Sequence, residues 1–469
     1  MGRSAQHRSR RPVGPAVTAS EFFARLREQL GSEVDGLEEA LSTASPVSIR
    51  VNRCKWIGPD AEGIPWCTDG FYLEERPAFT FDPLLHAGCY YVQEASSMLL
   101  EQAVNTTGLR TERIAALDLC AAPGGKSTHL RRLLHTDALL VSNEIDHKRA
   151  TILQENLWKW GGANSMVTVA SPDRFAALEG SFDLIVVDAP CSGEGMFRKD
   201  AFAREQWSTA LVDQCSAMQR DALTHAWNAL RPGGYLIYST CTWELAENEQ
   251  QVARLVAMGG NMIPIPVEEN WGVLRSEREG VDALRCYPHR VRGEGFFIAL
   301  VQKAGEWSTQ HATQHTPTTS EELAWLKTSR NWQLLELNEE RFAIDAQWRG
   351  LIGRIRNVLP TWSPGLPYAE RKGDGWRPHT ALAFAQDLDT STFTEVTLDL
   401  DAAITVLRGN TLPALAAHGI GLATYQGAPL CWLQGAGNRW NNRWPAAWRI
   451  RSQQASAPPV SWSRTAPEP

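Results

Sequence analysis

The 469-residue sequence lacks several features that would assign a protein to a broad class at once. No apolar run approaches the roughly 18 residues of a membrane-spanning helix, so we expect no membrane partner. The nine cysteines form no Cys-x-x-Cys pair, the usual pattern of zinc ribbons and thioredoxin-like redox centres, and we expect no bound metal. An odd, scattered cysteine set in a long chain is typical of a reducing compartment, so we expect a cytoplasmic protein.

An excess of positive charge is also lacking. Lysine and arginine total 46 against 53 acidic residues, which gives a net charge of −7. If the protein binds a nucleic acid, it must therefore do so through a local basic patch. Hydrophobic residues make up 43% and charged residues 21%, which are globular values. The length suggests about three domains, and no internal repeat of fixed period is visible.

Composition divides the chain into seven segments. The N-terminal end (1–19) is basic and contains prolines, and the C-terminal end (453–469) is rich in Pro and Ser. We expect both ends to be disordered. Between them we predict an N-terminal segment with helices and strands (20–110), an alternating strand–helix core (111–304), a Ser/Thr/Gln/His linker (305–320), a mixed intermediate region (321–385) and a β-rich module with Gly turns (386–452).

The core segment alternates short apolar, β-branched runs with amphipathic stretches. This pattern predicts an α/β fold whose mostly parallel sheet is covered on both faces. The predicted strands are Ile114–Leu117, Ala138–Val141, Met166–Val169, Leu184–Val187 and Tyr235–Tyr238. The predicted helices are Lys126–Leu134, Asp146–Trp160 and Arg204–Leu230, with Ser20–Leu30 (N-capped by Ser20) and Gln93–Val104 in the N-terminal segment.

The most informative stretch is Leu117–Lys126, LDLCAAPGGK. An apolar strand ends at Asp118, a turn of small residues follows, and a helix starts near Lys126. Small residues let the backbone approach a ligand, and a helix N-terminus presents unpaired N–H groups to an anion. Open α/β sheets bind their ligands at this end of their strands, so the stretch predicts a cofactor site.

Two nucleotide-type ligands compete for this site. Gly125-Lys126-Ser127 has the ending of a P-loop, and Leu184–Asp188 resembles a Walker B strand. A Walker A loop, however, needs Gly five positions before Gly125, where Cys120 stands, and Asp118 would repel phosphate. A dinucleotide loop is disfavoured too, because GxGxxG is absent.

S-adenosylmethionine fits better, because its methionine end is zwitterionic and carries no phosphate. Asp118 can bind the ammonium group of the cofactor, and the N–H groups of the turn can donate hydrogen bonds to its carboxylate. Glu144 follows the second strand, where an acid accepts both ribose hydroxyls in dinucleotide folds. Asp173 follows the third strand and could accept from the adenine amino group. Each acid alone would be a helix cap or a solvated loop residue, but three acids after three successive strands favour a site.

Two cysteines, 50 residues apart, follow the fourth and fifth strands: Cys191 in DAPCSG and Cys241 in STCT. If those strands are neighbours, at ~4.8 Å, both thiols lie above one sheet edge near the cofactor. Two thiols beside a sulfonium suit methylation of carbon 5 of cytosine. A thiolate that adds to carbon 6 activates carbon 5 for attack on the methyl group, and a second thiol can assist release. Asp188 could hold the exocyclic amine and ring nitrogen 3 of a base taken out of its stack.

These segments resemble the signature motifs of the Nop/Sun family of RNA 5-methylcytosine methyltransferases. The motifs are LDLCAAPGGK, VDAPCSGEGMFRK (187–199), YSTCTWELAENE (238–249), SIRVN (48–52) and GCYYVQEASSM (88–98). The resemblance implies a Rossmann-like methyltransferase core that follows an N-terminal α/β RNA-binding segment (20–110). It also implies Cys241 as nucleophile and Cys191 in release. The residues alone leave that order open, since DNA cytosine methyltransferases use the Pro-Cys cysteine. It also implies cofactor contacts from Cys120, Ala121, Ala122, Pro123, Gly124, Gly125, Lys126, Glu144, Asp173 and Asp188.

Further segments bear on the substrate. Tyr287–Arg290 and Gly293–Phe297 resemble the family's end-of-domain motif, and both segments are expected to line the base pocket, with His289 and Arg290 as substrate contacts. For His289, a hydrogen-bonded core histidine is an equal interpretation. Arg198 and Lys199 are expected to hold backbone phosphate, the alternative being a solvated charge pair.

The C-terminal half narrows the resemblance within the family. Residues 366–384 and 398–450 resemble the tail of bacterial 16S ribosomal RNA methyltransferases of the F type, which ends in a PUA-like RNA-binding module. This module has few lysines. The expected partner is thus ribosomal RNA within the small subunit, and the protein is expected to act as a monomer. A transfer-RNA methyltransferase and a catalytically idle ribosome assembly factor remain the alternatives.

Overall fold

The computed structural model describes residues 19–307, 323–327 and 330–452. Apart from Ala19, which begins the first helix, the predicted disordered ends lie outside the described residues, as does the predicted linker beyond residue 307. Of the helices in the described part of the chain, none combines the length and the apolar character needed to cross a bilayer.

The N-terminal segment folds around a small antiparallel sheet of order β2-β3-β1-β4. Its elements are α1 (Ala19–Leu30), α2 (Val34–Leu41), β1 (Val47–Val51), β2 (Gly63–Ile64), β3 (Cys67–Leu73), α3 (Pro83–His86), β4 (Tyr90–Val92) and α4 (Leu100–Thr106). Helix α1 begins at Ala19, so Ser20 lies inside the helix and is not its N-cap. The predicted helix over 93–104 starts late because Gln93 is tied to β1: its N–H donates to Ser48 (3.2 Å) and its side chain accepts from Arg50 (2.8 Å).

The core is the predicted α/β unit. Its strands are β5 (Ala115–Asp118), β6 (Leu139–Asn143), β7 (Ser165–Thr168), β8 (Phe182–Asp188), β9 (Leu230–Thr240), β10 (Gly260–Met262), β11 (Leu274–Ser276), β12 (Ala283–Cys286) and β13 (Phe296–Lys303). Its helices are α5 (Gly125–Leu133), α6 (His147–Trp160), α7 (Ala201–Gln206), α8 (Thr209–Ala229) and α9 (Glu249–Ala257). Strands β9-β8-β5-β6-β7 are parallel, and β13, β12 and β11 extend the sheet antiparallel beside β9.

Two predicted boundaries shift within this core. The helix over 204–230 is broken into α7 and α8, because Ser208 adopts an extended conformation and its hydroxyl accepts from the N–H of Leu211 at 3.2 Å as N-cap of α8. Strand β9 begins at Leu230, five residues before the predicted Tyr235, because the Pro-Gly-Gly stretch stays in the sheet.

The C-terminal third carries two further sheets. The first has the order β14-β15-β17-β18 and the second, the predicted β-rich module, has the order β19-β21-β22-β23-β20. Their elements and those between them are β14 (Trp332–Leu337), β15 (Glu340–Asp345), α10 (Arg349–Val358), β16 (Thr361–Ser363), β17 (Leu366–Lys372), β18 (Gly375–Pro378), β19 (Thr394–Leu398), α11 (Leu400–Leu407), β20 (Leu412–Ala417), β21 (Ile420–Tyr425), β22 (Ala428–Gly435) and β23 (Gly437–Asn442).

The intermediate region is built into the core. Strand β16 pairs antiparallel with β7 and so becomes the outer strand of the central sheet. Trp348 and the apolar face of α10 (Leu351, Ile352 and Ile355) are buried in the same hydrophobic cluster as β6 and β8. The central sheet therefore extends past the predicted boundary at residue 304, because the parallel edge at β7 would otherwise present unpaired backbone groups.

Candidate active site

The loop between β5 and α5 is shaped for close approach to a ligand. Gly124 caps α5 with φ +113°, a backbone conformation that L side chains rarely adopt. Asp118, at the end of β5, is completely buried; its Oδ2 accepts from Ser127 Oγ at 2.6 Å, whereas its buried Oδ1 has no hydrogen-bond partner among the described residues. Burial raises the pKa of Asp118 to about 7.

Helix α6 and strand β6 hold this loop from the other side. The N–H of Ala121 donates to Asn143 O (2.8 Å), Arg149 donates to Ala122 O (2.7 Å), and Asn156 donates to Pro123 O (2.8 Å). The loop backbone is thus fixed by groups that sequence reasoning did not identify. Arg149 and Asn156 carry no signal in the sequence beyond their place on the helix that follows Glu144.

The predicted cofactor acids differ in their surroundings. Glu144 is buried just after β6; it accepts from the N–H of Asp146 (3.0 Å) and pairs with Arg149 (3.1 Å). Asp173 lies exposed in the turn after β7, where a hydrogen bond from the Ser171 hydroxyl lowers its pKa. Cys120 is partly exposed and keeps its proton, because burial raises the pKa of its thiol above the usual range.

This donor set suits S-adenosylmethionine better than a nucleotide with phosphates. The orphaned Asp118 oxygen lacks a donor, and an ammonium group supplies one. Glu144 offers a carboxylate for a diol. Two buried carboxylates around one loop would repel a phosphate chain, which counts against the P-loop alternative.

The two predicted thiols meet. Strands β8 and β9 are parallel neighbours in a register that pairs Asp188 with Ser239, which confirms the expected adjacency of the strands. Beyond this pair, Cys191 Sγ and Cys241 Sγ lie 3.2 Å apart, both partly exposed and both free thiols. The hydrogen bond with Cys241, together with burial, raises the pKa of Cys191 well above its usual range.

Hydrogen bonds between the two cysteine loops fix this distance. The N–H of Gly195 donates to Cys241 O at 2.8 Å, and the hydroxyls of Ser192 and Thr242 are 2.8 Å apart. The N–H of Ser192 donates to Glu247 Oε2 at 3.0 Å, and Gln219 on α8 donates to the same oxygen at 2.8 Å. Sequence reasoning missed Gln219, which lies in no motif, and Glu247, whose only signal was its place in the ELAENE run.

A second buried carboxyl braces the same loops. Glu194 is completely buried and accepts from the N–H of Trp243 at 2.7 Å. Burial and the nearby Glu244 raise the pKa of Glu194 to about 8, so that its neutral form prevails at neutral pH. The Trp243 ring in turn stacks on Tyr287, with ring centroids 5.6 Å apart.

Lys126 and Asp188 join the cofactor loop to the cysteine loops. Lys126 Nζ lies 2.8 Å from Asp188 Oδ2 and 5.0 Å from the centroid of the Phe296 ring. Ser239 Oγ donates to the other oxygen of Asp188 at 2.8 Å. The carboxylate is therefore oriented from two sides. Ser239 was not among the predicted site residues, whereas Phe296 lies in the Gly293–Phe297 segment expected to line the base pocket.

The predicted substrate residues are mostly engaged with the protein. The side chain of Arg198 is buried, pairs with Glu294 at 3.0 Å and donates to Gly293 O at 2.6 Å, so its guanidinium braces the fold; its contact with backbone phosphate stays a prediction. Lys199 stays partly exposed, 3.6 Å from Glu294.

His289 and Arg290 both face Glu33, which lies between α1 and α2. Their contacts with this carboxylate measure 3.3 Å and 2.7 Å. The hydrogen bond from Arg290 lowers the pKa of Glu33 to about 2, so the acid is ionised whenever the protein is folded at neutral pH.

One group of ligand-type side chains lies outside this site. Among the residues with described positions, Cys67, Glu101 and His129 lie together in the core, with Sγ–Nε2 at 3.8 Å and Nε2–Oε2 at 3.4 Å. Thr68 donates to the other Glu101 oxygen at 2.7 Å, and the buried guanidinium of Arg50 lies alongside. The hydrogen bonds and that positive charge disfavour a cation here.

Comparison with known families agrees with this architecture. Residues 108–302 match the family model described as 16S rRNA methyltransferase RsmB/F. Residues 19–95 match the N-terminal domain of 16S rRNA methyltransferase RsmF, and residues 393–450 match the methyltransferase RsmF PUA domain.

Relatives and solved structures extend the agreement. Ribosomal RNA small subunit methyltransferase F of Enterobacter sp. (strain 638) is 30% identical, and the match covers 91% of this chain and 94% of that protein. The protein of the same name in Serratia proteamaculans (strain 568) is 33% identical, and the match covers 69% of this chain and 71% of that protein. A methyltransferase homologue from Pyrococcus horikoshii (27% identity, TM-score 0.52) covers 61% of this chain and 95% of its own. NSun6 from the same organism, solved with SFG, shares the fold (19% identity, TM-score 0.53, 61% and 99% coverage). The chain thus belongs to the RsmB/F family of 16S ribosomal RNA methyltransferases, as its motifs had indicated.

Proposed function

We propose that this protein transfers a methyl group from S-adenosylmethionine to carbon 5 of a cytidine in 16S ribosomal RNA through a covalent Cys241–cytosine intermediate. The observation that carries the proposal is the pair of free thiols 3.2 Å apart, partly exposed at the carboxyl ends of adjacent parallel strands. Two thiols held this close by loop-to-loop hydrogen bonds suit a reaction that uses one sulfur to bond and the other to assist.

Cys241 adds to carbon 6 of the cytosine, which makes carbon 5 nucleophilic. When bound, S-adenosylmethionine supplies the electrophilic methyl group. Once carbon 5 has been alkylated, its proton leaves to solvent water. The electron pair of that C–H bond forms the carbon 5–carbon 6 double bond and expels the Cys241 sulfur as a thiolate, which restores the aromatic ring. We assign the bond-forming role to Cys241 because the resemblance of the motifs around the two cysteines implies it. Cys191 keeps its proton, because the hydrogen bond with Cys241 and burial raise its pKa.

Cys191 assists release. Its S–H group lies within hydrogen-bonding distance of the departing Cys241 sulfur and can stabilise it as a thiolate. Asp188 is fixed by Lys126 and Ser239 and can accept from the exocyclic amine of the base. On the cofactor side, the Asp118 oxygen without a partner is suited to the ammonium, and Glu144 to the ribose hydroxyls.

Tritium transfer from labelled S-adenosylmethionine tests the proposal. We expect Cys241→Ala to abolish both methylation and covalent adduct formation. Cys191→Ala should accumulate an enzyme–RNA complex that survives denaturing electrophoresis. Cys431→Ala, which changes a buried thiol of the β-rich module, serves as the matched control with transfer retained. Full turnover by Cys241→Ala would overturn the assignment.

The substrate is tested in the same assay with naked 16S RNA, 30S subunits and transfer RNA. The relatives carry the name of small-subunit ribosomal RNA methyltransferase F, which favours a ribosomal acceptor. Preferred transfer to transfer RNA would establish the alternative acceptor. Cofactor binding without label transfer to any RNA would instead indicate an assembly factor that no longer catalyses.

A further inference from the structure

A groove of about 550 Å³ opens on the molecule away from the thiols. We call it the Arg groove after the arginines that line it: Arg110, Arg131, Arg132 and Arg330. Three parts of the chain form its walls, since Asn52 and Cys54 come from the N-terminal segment and Gln386 from the region before the β-rich module. Its volume is within the roughly 300–1,000 Å³ of known ligand sites.

The groove lies at the opposite edge of the sheet from the cysteine loops. Residues 131–136 form the last turn of α5 and the start of the loop to β6, and therefore lie near the amino ends of the parallel strands. Cys191 and Cys241 follow the carboxyl ends. A strand of five residues, such as β6, spans about 17 Å at ~3.3 Å per residue. A ligand in the groove therefore cannot be the reacting base itself.

Two of the groove arginines, Arg110 and Arg131, have no acidic partner in the described part of the chain. Neither has a carboxylate at salt-bridge distance within the described ranges. Arg110 donates to the Asn105 side chain (2.7 Å) and to Leu133 O (3.3 Å). The buried Arg131 donates to three carbonyls, those of Ala138 (2.7 Å), Asn164 (3.1 Å) and His135. Burial lowers the pKa of Arg131 to about 10, which leaves it charged at neutral pH. A buried cation that meets only neutral acceptors attracts an anion.

The remaining pairs leave a positive surplus. Arg132 and the neighbouring Arg53 share Asp69, whereas Arg330 and Arg113 share Asp137, and Arg330 also reaches Asp387. With Arg110 and Arg131, which have no carboxylate partner among the described residues, six arginines face four aspartates once Asp345 near Arg330 is included. This surplus stands out in a chain whose net charge is −7. It is the kind of local basic patch that an acidic RNA-binding protein needs.

We propose that the Arg groove binds the phosphodiester backbone of the RNA substrate at a place remote from the target cytidine. The inference rests on the proposed function, because it takes the substrate to be a large structured RNA. Guanidinium groups bind phosphate oxygens through paired hydrogen bonds without reading sequence. The groove therefore contributes affinity and orientation, and the cysteine loops carry out the reaction.

Salt-dependent RNA binding tests the proposal. The double substitution Arg110→Ala/Arg132→Ala removes two groove cations, and Arg220→Ala/Arg254→Ala removes two exposed arginines from α8 and α9 as a charge-matched control. For full-length protein with 16S RNA, we expect only the groove variant to lose affinity. Its slope of log K against log salt should fall by roughly 1.4–1.8, because each phosphate contact contributes about 0.7–0.9.

Kinetics separate binding from chemistry. In methyl transfer the groove variant should show a raised KM for RNA with kcat unchanged, and thermal unfolding should show that both variants fold. If the groove variant has the same RNA affinity and the same salt slope as the control variant, the groove does not bind RNA, and the proposed function is unaffected. If the wild-type protein binds RNA through the groove but transfers no methyl group, the proposed function fails instead.

Cys54 offers a direct probe, since it is the single exposed thiol among the nine cysteines, all of which the structure describes. The extent of maleimide labelling of Cys54, measured by peptide mass mapping, is compared under three conditions: with 16S RNA present, with inorganic phosphate at matched ionic strength, and with neither added. Protection by RNA alone supports the proposal. Equal protection by inorganic phosphate would indicate a small-anion site, and no protection by RNA would contradict the proposal.

Discussion

The protonation of Asp118 should control both the stability of the free protein and its affinity for the cofactor. The carboxyl is completely buried, and burial raises its pKa from 3.8 to about 7. A group whose pKa is raised on folding binds its proton more tightly in the folded state. The stability it contributes is therefore fully present below pH 3.8 and is lost as pH rises to about 7.

The magnitude follows from the two pKa values. Each pH unit between them removes about 1.4 kcal/mol from the free energy of unfolding, about 4 kcal/mol in all, as an order of magnitude. Asp118→Asn removes the titration with little change in shape, because the amide oxygen can still accept from Ser127 Oγ. The advantage of the variant over the wild type should grow by about 1.4 kcal/mol per pH unit from pH 4 to 7 and then level off.

Urea denaturation of the cofactor-free proteins between pH 5 and 8 measures this difference. Parallel profiles for the wild type and Asp118→Asn would refute the reasoning, since they would mean that Asp118 does not titrate in this range. Calorimetry with S-adenosylmethionine supplies the functional half. Wild-type affinity should rise up to tenfold per pH unit below pH 7, because the ammonium binds the ionised carboxylate, and the variant should bind weakly at every pH.

Three further substitutions test individual contacts by their effect on unfolding free energy. Gly88→Ala should cost about 3 kcal/mol or more, because φ is +70° and the added Cβ would lie 1.9 Å from a carbonyl oxygen of α6; wild-type stability would refute that contact. Trp348→Ala should cost about 3–5 kcal/mol and melt together with the core, whereas a separate early transition would contradict the integration of the intermediate region. Arg198→Ala should cost about 3 kcal/mol, because buried Glu294 would lose its nearest cation and keep only Lys199 at 3.6 Å; a variant that loses only RNA affinity would instead support the phosphate role.

The strand–helix alternation and the placement of both thiols were available from the sequence. Apolar runs of strand length between amphipathic helices specify a parallel sheet, and a parallel sheet brings the residues after each strand to one edge. The positions of Asp118, Glu144, Cys191 and Cys241 after four different strands therefore predicted one site at that edge. The β8–β9 pairing then brought the two sulfurs within 3.2 Å.

Pair contacts between distant segments could not be predicted in the same way. Arg198 looks like a free cation in the sequence, and only the arrival of Glu294 from a segment 96 residues away buries it. Likewise β16 joins the central sheet, and the Arg groove forms, only when segments far apart in the chain pack together.

What the sequence by itself determined is the order of strands and helices, and with it the edge of the sheet where polar and thiol groups collect, because hydrophobic periodicity is local. The tertiary structure decided which charges are neutralised, which carboxyls hold their protons and where positive charge is left over. Those properties depend on burial and on partners from remote segments, and no local pattern records them.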